Sequence, residues 1–531
     1  MRYPSFPRIW PWPHQSKQRI KGVISLIAVF IFFVFSVFGL GLLYLSQIHL
    51  KFSGYKKNSI LLDCASENGI KQGLQGLIDT LSNRSSPSVI SPEELGSLKK
   101  NLIKNESGLI NDLLKTQIPV FHSDSWENLS WQSRTDFHLE KIEEEEDYFR
   151  VTYNAEILSE GGIKNFRSKR ETSFLARMDI LAGHIPLPHI PVLIDDKPSP
   201  EQQQKFLEEH KIEIFTSADS LIPSRVSFSE EKLLSKSAVP QLEKALKIKM
   251  FYPQDLSPAK LRAALGLEES TEAVPDGVYL IQDDLGLGGI FVQGNVQELV
   301  LAVEEDFQVV SFLTELGQWI LKFSPEKEQT IYSTPTETRH YNFIPRGIII
   351  VNGKIESLGG GVVHPAGEIR ILEEEEIPSI LQGVNLTIIS SDEITLSSHL
   401  LHQGLKWQES VPYLKDSQSQ LIIFAAGQDF IEGSEKEGKI VINADSTAEI
   451  KIQASLTASG KGVSLEGTGK NVNILGSLHT TDLTSNGKHL KITFDDRLLE
   501  KPQLLMDAPK TQKPVLYLAS FLPLEWRESD E

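Results

Sequence analysis

From Gly22 to Leu50 the chain runs through GVISLIAVFIFFVFSVFGLGLLYLSQIHL without one formal charge. About 20 helical residues at ~1.5 Å each cross a hydrocarbon core, so this stretch is long enough to span a membrane. A helix buried in a soluble domain seldom stays apolar on every face for so long. Arg2, Arg8, Lys17, Arg19 and Lys21 precede the span and Lys51, Lys56 and Lys57 follow it, which predicts a cytoplasmic N-terminus and a translocated body. The run is longer than the ~7–15 residue core of a cleaved signal, and no small-x-small site closes it. Leu61-Leu62-Asp63-Cys64 fails as a lipoprotein box because Asp63 stands where a small residue is needed. Cys64 is therefore expected as a small, half-buried helix residue.

Charge follows the same division. The 531 residues carry 53 Lys+Arg against 71 Asp+Glu, a net −18, yet eight basic residues and no acid precede Asp63, leaving −26 on the rest. A basic head and an acidic body argue topology, and the acidic surface argues against nucleic acid as a partner. One cysteine excludes an intramolecular disulfide framework or a Cys-rich zinc module.

The segment Lys21–Ile78 resembles the N-terminal region of bacterial PilX-type minor pilins and related pilin-like assembly proteins. The resemblance rests on the basic leader ending in Lys21-Gly22, the apolar span with Gly39 and Gly41, the Ser-Gln-Ile-His-Leu-Lys exit, and Ala65-Ser66-Glu67-Asn68-Gly69-Ile70. It implies that a prepilin peptidase cuts after Gly22 and exposes Val23. Where major pilins carry an acid five residues into the mature chain, this sequence has Ile27.

Past the membrane, Ile70, Leu74, Leu77, Ile78 and Leu81 share one helical face, and the helix is expected to stop before the Ser-Asn-Arg-Ser-Ser-Pro turn at 82–87. A second amphipathic run (Leu95, Leu98, Leu102, Leu109, Leu113) opens at Ser91-Pro92-Glu93-Glu94, a strong helix start. Alternation at 148–158 (Phe149, Val151, Tyr153, Ala155, Ile157) and at 172–181 (Phe174, Ala176, Met178, Ile180) predicts a β-hairpin. The acidic cluster Glu143 to Asp147 reads as a solvated loop, because it lacks the interleaved turn residues of a calcium loop. His184 and His189 lie in a proline-rich boundary and read as loop residues.

Residues 196–275 are polar with helical patterning, which predicts a helical insertion. Beyond them, Gly289-Ile-Phe-Val292-Gln-Gly294-Asn-Val296-Gln-Glu-Leu299 recurs as Gly347-Ile-Ile-Ile-Val351-Asn-Gly353-Lys-Ile355-Glu-Ser-Leu358, with Gly294 and Gly353 59 residues apart. Short bursts follow at Leu386–Ile388, Ile394–Leu396, Leu421–Ile423, Ile440–Ile442, Ile450–Ile452 and Val472–Ile474. Short strands with small residues at corners suit a parallel β-solenoid, with a β-sandwich as the alternative. Gly288 to Pro502 also resembles an uncharacterised bacterial domain found behind PilX-like N-termini. Its marks are the paired G-I-x-V-x-G entries, the Gly476-Ser477-Leu478 turn and the closing Phe494-Asp495-Asp496-Arg497-Leu498.

Candidate chemistry is thin. Asp283-Asp284, Asp392-Glu393, Asp495-Asp496 and Glu373 to Glu376 are sequence neighbours, which point to opposite faces of a strand and do not form an acid–base pair. His399 and His402 have ligand spacing only on a helix. Gly467-Thr468-Gly469-Lys470 lacks the early glycine and the Ser/Thr of a phosphate loop. Gly286 to Gly289 and Gly359 to Gly361 read as turns, and no nucleophile elbow appears.

The sequence therefore predicts an α+β chain: a cytoplasmic basic leader (1–22), a transmembrane helix (23–50), a pilin-like helix and small α+β head (51–195), a helical insertion (196–275), a mostly-β, solenoid-like domain (276–505) and a C-terminal tail (506–531). The expected role is structural or assembly-related in a type IV pilus or a related secretion or surface filament of the bacterial inner membrane. No enzymatic site, cofactor or metal is expected, and the only site residues are Gly22 and Val23. The expected partners are membrane lipid, other pilin-like subunits, and a surface polysaccharide or adhesion target. A membrane-tethered polysaccharide-acting enzyme and a polymerising scaffold are the alternatives.

Overall fold

The computed structural model describes residues 20–528 apart from 83–85, 105–120, 127–128, 164–168, 197–198, 216–225, 230, 237–257, 266, 268–272, 284–285, 365–366, 373–374, 409–410, 414–417, 444–448, 469–470 and 502–506. It opens with one helix, Ile20–Ser82, of 63 residues, which is about 95 Å long at ~1.5 Å per residue. The helix ends where the Ser/Pro turn predicts. Its second half buries Leu62, Ala65, Ile70, Leu77 and Leu81. Cys64 is exposed on this helix rather than half-buried, because the buried face passes through its neighbours Leu62 and Ala65.

The helix lies on a six-stranded antiparallel sheet. Its centre is the predicted hairpin, Tyr148–Ile163 against Lys169–Gly183, with Val151 opposite Ile180 and Ala155 opposite Ala176. Phe149, Val151, Tyr153, Ala155 and Ile157 all turn into the core beneath the helix. Glycine lets the two layers approach closely: a Cβ on Gly161 would stand 2.6 Å from the Ser66 backbone nitrogen, and one on Gly73 2.9 Å from Ile157 Cγ2. Glu143 and Glu144 end the strand Leu129–Glu144, and the turn after them bonds Glu145 N to Tyr148 O at 2.9 Å. The second helix, Pro92–Lys104, starts with a reciprocal cap: Ser91 N donates to Glu94 Oε2 (2.7 Å) and Glu94 N to Ser91 Oγ (3.1 Å). Leu109 and Leu113 lie outside the described residues.

The expected C-terminal tail is a strand. Val515–Glu528 pairs with Lys169–Gly183 along the head sheet, and Leu516, Leu518 and Phe521 enter the core under the N-terminal helix. Its charged last residues conceal an apolar alternation whose partner lies hundreds of residues upstream.

The remaining β-structure is mostly two sheets whose principal strands run parallel. From Gly286 onward the chain alternates between them. In the first sheet Ile290, Ile349, Ile388, Ile423, Leu456 and Leu478 stand in register on successive strands. In the second, Val296, Ile355, Ile394, Ile440, Val463 and Leu483 do the same. All twelve are buried in one core between the sheets. The 59-residue repeat is one such step: Ile290 pairs with Ile349 and Val292 with Val351, so Gly353 falls beside Gly294. Parallel pairing of this kind is unlike the antiparallel sheets of a sandwich. Antiparallel excursions leave the ladders, the largest being the run of strands from Phe307 to Tyr341.

The described residues of 196–275 include two helices, Pro200–His210 and Pro258–Ala264, and both are joined to the body. After the first helix, Ile212–Phe215 adds in parallel to the last strand of the first sheet, His489–Phe494. The second helix sends Leu261 onto the outer face of that sheet, against Phe291 and Ile350. The opposite end is covered by the antiparallel strand Gly277–Asp283. Ile212–Phe215 and Gly277–Asp283 are thus the two edge strands of this sheet.

Head and body share packed side chains. Tyr148, Leu181 and Val515 of the head sheet meet Ile190, Leu193 and Leu233, and Arg150 Nη1 donates to the Leu499 carbonyl at 2.7 Å.

Candidate functional site

Two surfaces carry functional potential. The first is the N-terminal half of the long helix. Its described side chains from Val29 to Tyr55 are exposed or nearly so, Phe32 at 75% and Phe38 at 67%. The 22 residues Val29–Leu50 rise about 33 Å, against a hydrocarbon core of ~30 Å. With a mean hydropathy of 2.4 over an 18-residue window, this is the one helix among the described residues long and apolar enough to cross a membrane. Lys51, Lys56 and Lys57 follow, and the head begins near Leu61. Gly22 and Val23 fall in the first turns of this helix, and their side chains, like that of Ile27, lie outside the described residues.

The second surface is a groove of about 570 Å³ on the outer face of the first parallel sheet. Strand register builds it. One row runs Glu449, Asn471, His489, Lys211, and the next runs Lys451, Asn473, Lys491, Glu213. Two-residue periodicity turns these positions outward while Ile450, Ile452, Val472, Ile474, Leu490 and Ile492 fill the core. The Asn473 amide donates to Glu449 Oε1. Lys451 Nζ reaches Glu376 Oε1 at 2.6 Å, and Lys491 Nζ sits 4.6 Å above the Phe215 ring. Sequence reading missed this groove, because its rows join residues separated along the chain and no local motif marks them. Its two lining carboxylates, Glu449 and Glu213, stand on strands three positions apart, about 14 Å at ~4.8 Å per strand. Glu376 and Glu449 stand closer, sharing the Lys451 ammonium at 2.6 and 4.0 Å, so a lysine is held between the carboxylates nearest to the ~5–9.5 Å at which glycosidase pairs work.

The other candidates resolve into structural parts. Asp392 Oδ1 accepts from Glu437 N at 3.1 Å while Glu393 pairs with Lys354 at 2.7 Å. Asp495 is bound by buried Arg497, with Nε 2.8 Å from Oδ1, and Asp496 begins the short helix Arg497–Glu500. Asp283 ends a strand, and Asp284, Glu373 and Glu374 lie outside the described residues. His399 Nδ1 accepts from Lys451 N at 3.0 Å, and burial holds its pKa below the usual value. His402 is buried near Arg497; burial first, then that charge, pushes it down to about 3. The two imidazoles thus serve different neighbours. His184 Nδ1 donates to the Thr511 carbonyl at 3.0 Å, and His189 packs edge-on to Tyr148. Among the described residues no group of three or more His, Cys, Asp or Glu could hold a metal ion.

Three glycine expectations are corrected: Gly286 to Gly289, read as a turn, open the strand Gly286–Gln293. Gly359 to Gly361 lie inside the strand Ile355–Val363, where a Cβ on Gly360 would stand 2.6 Å from the His399 carbonyl oxygen. Gly476-Ser477-Leu478 likewise runs within the strand Asn471–Thr480, with Gly476 at φ +147° and tight against Ala454. Close approach of backbones, rather than chain reversal, demands glycine here. Gly467 to Lys470 is followed by a strand rather than the helix of a phosphate loop.

No protein-family model, curated protein or solved structure matches the chain.

Proposed function

We propose that this chain is a pilin-like, PilX-type, single-pass membrane protein with a structural or assembly role in a type IV pilus or a related secretion or surface filament. The observation that carries the reading is the division of one continuous helix: an exposed apolar half of membrane-spanning length, then a half bedded on an antiparallel sheet. The basic leader favours a cytoplasmic N-terminus in the bacterial inner membrane, with the body outside. The apolar half would pass from lipid into a bundle of like helices, where packing takes over from acyl chains. The body is read as a parallel β-solenoid, supported by the in-register aliphatic ladders of its two sheets.

Mass spectrometry of the mature N-terminus tests the proposal. Cleavage between Gly22 and Val23, lost in a strain without prepilin peptidase, is the expected result. An intact N-terminus in cells with active peptidase would overturn the processing assignment and leave a plain anchor.

A further inference from the structure

The outer face of the first parallel sheet changes character along the stack. Phe291, Ile350, Ile389 and Phe424 are buried together with Leu261 of the helix Pro258–Ala264. Further along, the corresponding face becomes the polar groove built on Glu449–Lys451, Asn471–Asn473 and His489–Lys491, bounded by the added strand Ile212–Phe215. Its volume of about 570 Å³ lies within the ~300–1,000 Å³ of small-ligand sites.

The chemistry of the lining narrows the ligand. A peptide adding as a strand takes the open backbone edge of a terminal strand, which here is Ile212–Phe215; the groove instead lies on the face of the sheet, over Glu449–Ala458, Asn471–Thr480 and His489–Phe494, each paired on both sides. Recognition therefore falls to side chains. A polyanion needs excess positive charge; here Lys211, Lys451 and Lys491 are balanced by Glu213, Glu449 and the rim residue Glu376, on a body carrying −26. An apolar ligand needs open apolar surface, whereas Leu490 is 1% exposed and Lys491 covers the Phe215 ring. What the groove offers is donors and acceptors side by side, two central amides flanked by carboxylates and ammonium groups, repeating at the ~4.8 Å strand spacing. We propose that this groove binds a neutral, hydroxyl-rich chain, an oligosaccharide lying across the strands. The assignment does not depend on the membrane anchor or on filament assembly.

Titration calorimetry on the full chain in a detergent without a sugar headgroup, with cellohexaose, chitohexaose and maltohexaose as probes, tests it. At least one should bind, and Asn471→Ala and Lys491→Ala should each weaken it tenfold or more while leaving the melting temperature unchanged. Gln382→Ala, in a separate groove beside Gln403, should leave binding intact. The proposal fails if none of the three sugars binds, or if binding survives both groove variants. It also fails if polygalacturonate binds in preference and is displaced by salt.

Discussion

Gly353 lies one circuit along from Gly294, so close that a Cβ built on it would stand 2.6 Å from the Gly294 carbonyl carbon. The obstacle is backbone, which cannot rotate away as a side chain can. Gly353→Ala is therefore expected to destabilise the body by about 1–3 kcal/mol, the usual cost of overpacking. Gly96→Ala is the matched control, since nothing lies within 4 Å of that helical position; it should stabilise by roughly 0.5–1 kcal/mol through helix propensity. Thermal and denaturant melts of both variants check the contrast.

The same pair of glycines shows how far the sequence can be read. The 59-residue spacing was visible because two adjacent circuits place the same residue types at the same inward and corner positions. Later circuits share only an inward aliphatic: Ile349 pairs with Ile388 and Ile388 with Ile423, steps of unequal length because each excursion differs. The strand Val515–Glu528 was illegible because its neighbour is remote; Ser520 Oγ donates to Asp179 Oδ2 at 2.7 Å across 341 residues. Ile212–Phe215 is hidden likewise, being four residues long and paired with Leu490–Thr493. Local periodicity reveals which face is apolar, and it carries no address for the partner. The membrane-length helix was legible because it needs no partner to be recognised.

Asp179 ties the head sheet together. Its side chain, 3% exposed, accepts from Arg150 Nη2 (2.8 Å), Thr152 Oγ1 (2.8 Å) and Ser520 Oγ (2.7 Å). Burial alone would raise its pKa, but these hydrogen bonds and the Arg150 charge hold it below the ordinary carboxylate value. Asp179→Ala leaves Arg150 buried without this partner and should cost about 3–5 kcal/mol. A lowered pKa contributes stability that is present above the unfolded-state value of ~3.9 and is lost as pH falls through the folded value. Urea melts should thus show the gap between wild type and Asp179→Asn narrowing as pH drops below about 4.

Buried histidines give the body a second pH dependence, at milder acidity. His479 Nε2 donates to the Ile190 carbonyl at 2.8 Å, so its Nδ1 accepts from the Thr457 hydroxyl at 3.0 Å and the ring is held neutral. Burial pushes its pKa down to about 4, and those of His189 and His402 to about 3. Between the unfolded-state value of ~6.5 and those values the unfolded chain binds protons the folded chain refuses, so stability falls with falling pH. His479→Gln should remove one share of that slope, on the order of 3 kcal/mol by pH 4. Equilibrium unfolding at pH 7, 5.5 and 4 measures it; parallel wild-type and variant curves would refute the assignment.

The exposed half of the long helix can be tested apart from the folded head. Phe33 and Phe38 are 64% and 67% exposed, well before the first residues that pack on the sheet, so replacing them should leave the head intact. In a bilayer the outcome differs, because a lysine near the centre of a spanning helix costs about 2.5–3.5 kcal/mol. The double variant Phe33→Lys/Phe38→Lys should move from the membrane pellet to the soluble fraction under alkaline carbonate extraction, while near-ultraviolet circular dichroism of the body stays unchanged. Retention in the pellet at wild-type levels would mean that the protein is held by something other than this helix. Loss of the circular dichroism signal would mean instead that these phenylalanines support the head, contrary to their exposure.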